Sequence, residues 1–242
     1  MNGGKDHSLF HFKQFRIMQD HCTMKVNTDG VLLGAWAEVK NARRILDIGT
    51  GTGLVALMAA QRAHEALVVG IEIDEASYLD AVYNAKNSPF SSRIDMVLGS
   101  IQEYRKEENE SFDVIISNPP FFTGGTFSSN ENKANVRHAI KLPHVDLLDA
   151  VNRLLSAAGV FTVILPYTEG IKFIDLAEKA GLFPIRIAEV RPRPLKPIER
   201  LLISFTRNSV PLIKEEFSIN SDEGNEYSER MKQLTMDFYI NL

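Results

Sequence analysis

The sequence predicts an α/β fold: a doubly wound, mainly parallel seven-stranded sheet that ends in an antiparallel hairpin. Three observations lead there. Short runs that are apolar on both faces, such as RILDI (44–48), ALVVGIEI (66–73) and VFTVILP (160–166), alternate with helical patterns, as parallel strands covered on both sides do. The fragments that carry chemistry follow the ends of these strands, where such sheets bind ligands. Two late apolar runs, 184–190 and 200–206, are separated by too few residues for a helix, which implies a hairpin at the sheet edge.

The elements follow in order. RILDI is the first buried strand; a glycine turn and a helix over about 54–62 come next. ALVVGIEI is the second strand. Residues 75–87 have helical spacing, with Ala76, Leu79, Val82 and Tyr83 on one side and Asp74 placed to cap them. RIDMVL (93–98) and FDVIIS (112–117) are the third and fourth strands, and a Gly, Ser and Asn-rich loop covers about 123–135. Residues 144–157 read as a helix stopped by Gly159, 160–166 as the fifth strand, and 168–180 as a helix closed by Gly181. An acidic tail ends in a short helix over about 226–238.

With 242 residues and 44% hydrophobic content, the chain can bury the core of a single domain, 1–242, divided into a core (41–207) and a C-terminal extension (208–242). The net charge of −4 argues against a basic coat for nucleic acid, and no DNA partner is expected. Cations gather locally instead: Lys13, Arg16 and Lys25; Arg137, His138 and Lys141; Arg191, Arg193, Lys196 and Arg200. The one cysteine, Cys22, excludes an intrachain disulfide and a cysteine-based zinc site. No apolar run has the length of a membrane span, and the first residues lack a signal peptide's apolar core, so a cytoplasmic monomer without membrane association or metal is expected.

DIGTGTG (47–53) leaves a strand and enters a helix. Gly49, Gly51 and Gly53, with Thr50 between them, let the backbone turn tightly and approach a ligand. Glu72, followed by Ile73, ends the next strand, where a carboxylate can accept both hydroxyls of a ribose. The third glycine of a dinucleotide fingerprint would fall at Leu54 and is missing. Asp47 precedes the turn, where it can face an ammonium group. A ribose, an adenine and an amino-acid end together describe S-adenosylmethionine. Ser100, after the third strand, can touch the adenine. The competing reading is a tight strand–helix turn with no ligand.

SNPPFF (117–122) stiffens the end of the fourth strand, because proline fixes φ and removes a donor. An adenine amino group is a poor nucleophile, since its lone pair is delocalised into the ring. The Asn118 side-chain oxygen and the Pro119 carbonyl, held by Pro120, can accept its two hydrogens and direct the lone pair at a methyl group. Phe121 can stack on the base. The alternative is a Pro-Pro turn with phenylalanines in the core.

DIGTGTG, GIEID and NPPF in this order resemble the class I, Rossmann-like S-adenosylmethionine-dependent methyltransferases of exocyclic amines. FHFKQFRIMQDHCTMKVNTDGVLLGAW, LDIGTGTGLVALMAAQR, FDVIISNPPFF and the late NEYSE narrow the resemblance to the bacterial tRNA1(Val) adenine-37 N6-methyltransferase family, over nearly the whole chain. The resemblance implies methylation of the 6-amino group of the adenine beside the anticodon of a valine tRNA. It implies cofactor contacts at Asp47, Gly49, Gly51 and Glu72, and a target base held by Asn118 to Phe121. Residues 1–40 would form an N-terminal lid segment, with 25–36 near the methionine end; there Thr28 and Asp29 either touch the cofactor or cap a helix starting near Val31. Many relatives carry an acid where this chain has Ser100. The substrate base must be splayed out of its loop, and its phosphates need basic partners. Arg137 and His138 are the first candidates, Arg191 and Arg193 the second, and Lys25 a third.

NPPF by itself is shared with enzymes that methylate ribosomal guanine, DNA adenine or a protein glutamine. A ribosomal-RNA or protein-glutamine methyltransferase is therefore the alternative. A non-catalytic RNA-binding module is disfavoured by the intact motifs, and a nicotinamide oxidoreductase by the glycine spacing.

Overall fold

In the computed structural model, residues 9–22, 24–104, 111–120, 142–222 and 226–241 are described. The chain opens with a small antiparallel hairpin, β1 (Leu9–His11) and β2 (Arg16–Met18), followed by helix α1 (Thr28–Trp36). Then come β3 (Arg44–Ile48), α2 (Leu54–Arg62), β4 (Leu67–Glu72), α3 (Glu75–Lys86), β5 (Ile94–Leu98) and β6 (Phe112–Ser117). The second half holds α4 (His144–Leu154), β7 (Leu155–Pro166), α5 (Tyr167–Lys179), β8 (Phe183–Arg191), β9 (Arg200–Thr206), β10 (Ile213–Ser218) and α6 (Glu229–Thr235).

Strands β3 to β10 form one sheet in the order β10-β8-β9-β7-β6-β3-β4-β5. All neighbours are parallel except the pairs that β9 makes with β7 and β8. The expected fold and its antiparallel hairpin are present. The sheet has eight strands rather than seven, because β10 lies in the stretch read as an acidic tail and takes the edge beyond β8. The chain winds outward from β3 to β4 and β5, then returns to β6 on the other side of β3. That reversal opens a crevice beyond the carboxyl ends of β3 and β6.

Side chains alternate along each strand and sort into two cores. Ile45, Ile164 and Leu202 face the layer of α1, α2 and α3. Leu46, Phe161, Val163, Ile203 and Phe205 face the layer of α4 and α5. In the second layer Phe161, Phe173 and Phe205 meet with ring centroids 5.8–6.1 Å apart. All three are fully buried, and each contributes roughly 1.5–3 kcal/mol.

Two boundaries differ from expectation for physical reasons. Helix α4 stops at Leu154, and the chain enters β7 at once. Gly159 is no helix stop; it lies inside β7, where a Cβ would sit 2.7 Å from Leu155 Cδ1 and 3.0 Å from the Phe112 carbonyl oxygen. Gly181, by contrast, does close α5, at φ +79°. The loop over 123–135 lies outside the described residues.

Candidate active site

The glycine turn sits against β4. Gly49 N–H and Thr50 N–H both donate to the Ile71 carbonyl, at 2.9 and 3.1 Å. Gly49, Gly51 and Gly53 have φ of +71°, +56° and +82°, a region that side-chain-bearing residues occupy at a cost. Gly53 then caps α2 in the left-handed conformation.

Glu72 closes the turn. It is buried, and its Oε2 accepts the Gly51 N–H at 2.9 Å, while Oε1 accepts the N–H groups of Ile73 and Asp74, each at 2.9 Å. A carboxylate offers about four acceptor positions, so capacity remains for a ligand hydroxyl. Asp74 caps α3, accepting from Ser77 N–H at 3.0 Å and Ser77 Oγ at 2.9 Å, as its position predicts.

A cavity of about 770 Å³, counting its open mouth, lies over this turn, within the range of small-molecule sites. Gly49, Gly51, Glu72 and Ile73 line it from β3 and β4, Ser100 from the end of β5, and Asn118 and Pro120 from the end of β6. Four strand ends therefore converge on one space. Ile48, Ile71 and Ile101 make its walls apolar, which suits an adenine ring. The Ser100 hydroxyl is engaged by the Gln102 side chain.

Other candidates lie elsewhere. Asp47 is buried beneath the turn, where its Oδ2 accepts from Thr50 Oγ1 at 2.6 Å and Ala56 N–H at 3.1 Å. Burial pushes its carboxyl up to about 7, against hydrogen bonds from Thr50 and Ala56 that pull it down. Asp47, Thr50, Gly53 and Pro119 are not among the residues lining the cavity. Nor is Asp29: its carboxylate is held by Arg200 Nε at 2.9 and 3.1 Å. Helix α1 starts at Thr28 rather than near Val31, and its cap is Asn27, whose Oδ1 accepts the Gly30 N–H. Residues 30–36 are buried within the first core layer. Lys25 is exposed, and Arg191 is bound by Glu216. Phe121, Arg137 and His138 lie outside the described residues.

Sequence reasoning missed the cavity's N-terminal wall, made by Cys22 and Met24. It also missed Ser117, whose fully buried hydroxyl donates to the Ile48 carbonyl at 2.9 Å and joins the SNPP corner to the glycine turn. Among the described residues, no group of three or more His, Cys, Asp or Glu side chains could hold a metal ion, and no helix is long and apolar enough to cross a membrane.

Residues 22–144 match the model of the methyltransferase small domain family. The tRNA1(Val) (adenine(37)-N6)-methyltransferase of Histophilus somni is 41% identical over 233 residues, 96% of this chain and 97% of that protein. The chain belongs to this family. A member from Bacteroides fragilis is 43% identical over 235 residues, 97% of this chain and 98% of that protein. The fold also matches a "predicted O-methyltransferase" of Agrobacterium tumefaciens (TM-score 0.69, 18% identity, 89% of this chain and 100% of that one). A 16S rRNA N2 G1207 methyltransferase of T. thermophilus has the same fold (TM-score 0.54, 23% identity, 83% of this chain and 50% of that one).

Proposed function

We propose that this protein transfers a methyl group from S-adenosylmethionine to the 6-amino group of adenine 37 in the anticodon loop of tRNA1(Val). Relatives so named match the chain almost end to end. The observation that carries the reading is that Glu72 and Asn118 line one cavity at the reversal of the sheet. On this reading Glu72 is the ribose acceptor and Asn118 the amine acceptor, both on the lining of one space.

The donor set fits the cofactor. Glu72 would accept a ribose hydroxyl, and the backbone bonds around its carboxylate keep it aimed. Ile73 and Ile101 line the cavity and would exclude water from the adenine. Bound S-adenosylmethionine supplies an electrophilic methyl on a sulfonium. The remaining work falls to the corner. The Asn118 side-chain oxygen accepts one hydrogen of the target amine, and the carbonyl of Pro119, between the lining residues Asn118 and Pro120, is the nearest backbone candidate to accept the other. Both stabilise the positive charge that develops on nitrogen in the transition state. Neither group is a base, so the proton leaves to solvent once the methylated amine has formed. Ser117, bonded to the Ile48 carbonyl, fixes this corner relative to the turn.

The test is transfer of labelled methyl to total tRNA from a strain lacking the protein, followed by nucleoside analysis. N6-methyladenosine in one valine tRNA is the expected result. Label in ribosomal RNA or protein alone would overturn the substrate, and no label anywhere would overturn the reaction.

A further inference from the structure

We propose that the loop between β8 and β9, residues 192–199, is an RNA-docking arm in which Leu195 packs on a nucleoside beside the target and Arg193 and Lys196 hold its phosphates. The proposal rests on the reading that the substrate is RNA.

The topology places this loop on the active-site edge. β8 and β9 are antiparallel, and so are β9 and β7, so β8 runs with β7 and its end at Arg191 lies at the carboxyl edge. Ser117 pairs with Val163, and three residues further along β7 Pro166 pairs with Arg200, which follows the loop. The corner and the base of the loop are therefore about 10 Å apart across two strand spacings and about 10 Å along the strands. A polynucleotide strand covers that span in a few nucleotides.

The loop is stiff. Pro192, Pro194 and Pro197 fix φ at three positions. Lys196 N–H donates to the Arg193 carbonyl at 3.0 Å, and Arg191 Nη1 donates to the Lys196 carbonyl at 2.7 Å. Both ends are tethered by ion pairs, Arg191 to Glu216 at 2.6 Å and Arg200 to Asp29 at 2.9 Å. A partner meeting such a loop finds its entropy already lost, which favours affinity.

Leu195 is 92% exposed. A single exposed leucine is ordinary on a protein surface. What distinguishes this one is its place: on a proline-braced loop, between Arg193 and the exposed Lys196, beside the corner that receives the base. The chain as a whole carries −4, yet residues 191–200 hold Arg191, Arg193, Lys196 and Arg200 against the single acid Glu199. Arg193 and the exposed Lys196 bring two cations to this loop, a charge that complements a phosphate backbone. An apolar side chain between two cations matches a base or sugar between two phosphates.

The test uses the full chain with Leu195→Ala and the double variant Arg193→Gln/Lys196→Gln. Methyl transfer is followed against tRNA concentration, cofactor affinity by calorimetry, and binding to a bare anticodon stem–loop against salt. We expect KM for tRNA to rise about fivefold or more in each variant, with melting temperature and cofactor Kd unchanged. The double variant should also lose about one unit or more of log–log salt slope. If the parent methylates tRNA and both variants keep its KM and salt slope within twofold, the arm is overturned while the function stands. A parent that methylates no RNA overturns both.

Discussion

Asp80 holds the backbone of Cys22: its buried Oδ2 accepts the Cys22 N–H at 2.9 Å and the His21 N–H at 2.9 Å, while Oδ1 meets His21 Nδ1 at 2.8 Å. One turn further on, Asn84 binds both the N–H and the carbonyl of Met18, at 2.7 and 2.8 Å, and the Thr52 carbonyl at 2.9 Å. The cavity wall formed by Cys22 and Met24 therefore stands on two side chains of α3, four residues apart and facing the same way. Replacing Asp80 by Ala leaves two backbone donors without a partner, at about 1–3 kcal/mol each. We expect a lower melting temperature and roughly tenfold weaker cofactor binding by calorimetry. An unchanged Kd in the folded variant would detach this wall from cofactor binding.

The pairing of His21 with Asp80 makes the wall sensitive to pH. The hydrogen bond to Asp80, with the charge of that carboxylate, raises the His21 pKa above its ordinary 6.5. A raised folded-state value means that the protonated form stabilises the fold below pH 6.5, and that this contribution fades as pH rises through the folded value. Melting temperatures of the parent and His21→Gln should differ most at pH 5.5–6 and converge above about pH 8. A constant gap would show that the bond acts without regard to charge.

Glu72→Gln tests the ribose acceptor. The amide keeps the size of the side chain but puts a donor where Oε1 or Oε2 now accepts backbone N–H groups. Loss of a charge-assisted acceptor predicts a cofactor Kd raised about tenfold to a hundredfold. Isothermal titration decides; parent-like affinity would remove Glu72 from the site.

Asn118→Ala tests the corner. Cofactor affinity should stay near that of the parent, while kcat falls by about two to three orders of magnitude. Single-turnover kinetics separate this from slow product release. Unchanged turnover defeats the proposed role of the amide.

Glu215→Ala tests the C-terminal extension. Glu215 accepts from Trp36 Nε1 at 2.7 Å, Arg186 Nη2 at 2.7 Å and Arg230 Nη2 at 2.8 Å, joining α1, β8, β10 and α6. Burial pushes its carboxyl up, but these bonds outweigh burial and hold it below the ordinary value. Its stabilisation is therefore present at neutral pH and lost as pH falls below about 4.5. Denaturant unfolding of the variant at pH 7 should show a loss of about 1–3 kcal/mol that vanishes in acid.

Strands β3, β4, β6, β7 and β9 were legible because their buried stretches leave nearly continuous apolar runs; β5 and β8 are only partly buried. The glycine turn, Glu72 and Asn118 were legible because local spacing fixes them relative to strand ends. β1 and β2 were not: three residues each give no period to read. β10 was hidden because an edge strand keeps its charges, here Lys214, Glu215 and Glu216 in IKEEFS. Asp80 and Asn84 look like a solvated polar face, and only the N-terminal segment folded over them makes them interior. Asp29 finds its partner in Arg200, 171 positions away, a distance no local pattern reports.

The N-terminal hairpin leans on residues near the other end of the chain. Lys13 N–H donates to the Phe238 carbonyl at 2.8 Å, Lys13 Nζ to the Met236 carbonyl across 223 positions, and Phe12 stacks on Tyr239 at 6.0 Å between centroids. During synthesis, residues 9–22 therefore emerge long before the residues that complete their packing. The wall that Cys22 lends to the cavity belongs to this late-finished unit. A nascent chain halted after β9 would carry the glycine turn, Glu72 and Asn118 in a sheet whose first segment has its bonds to α3 but not its packing on residues 236–239. The packing of the hairpin is complete only once translation has passed α6.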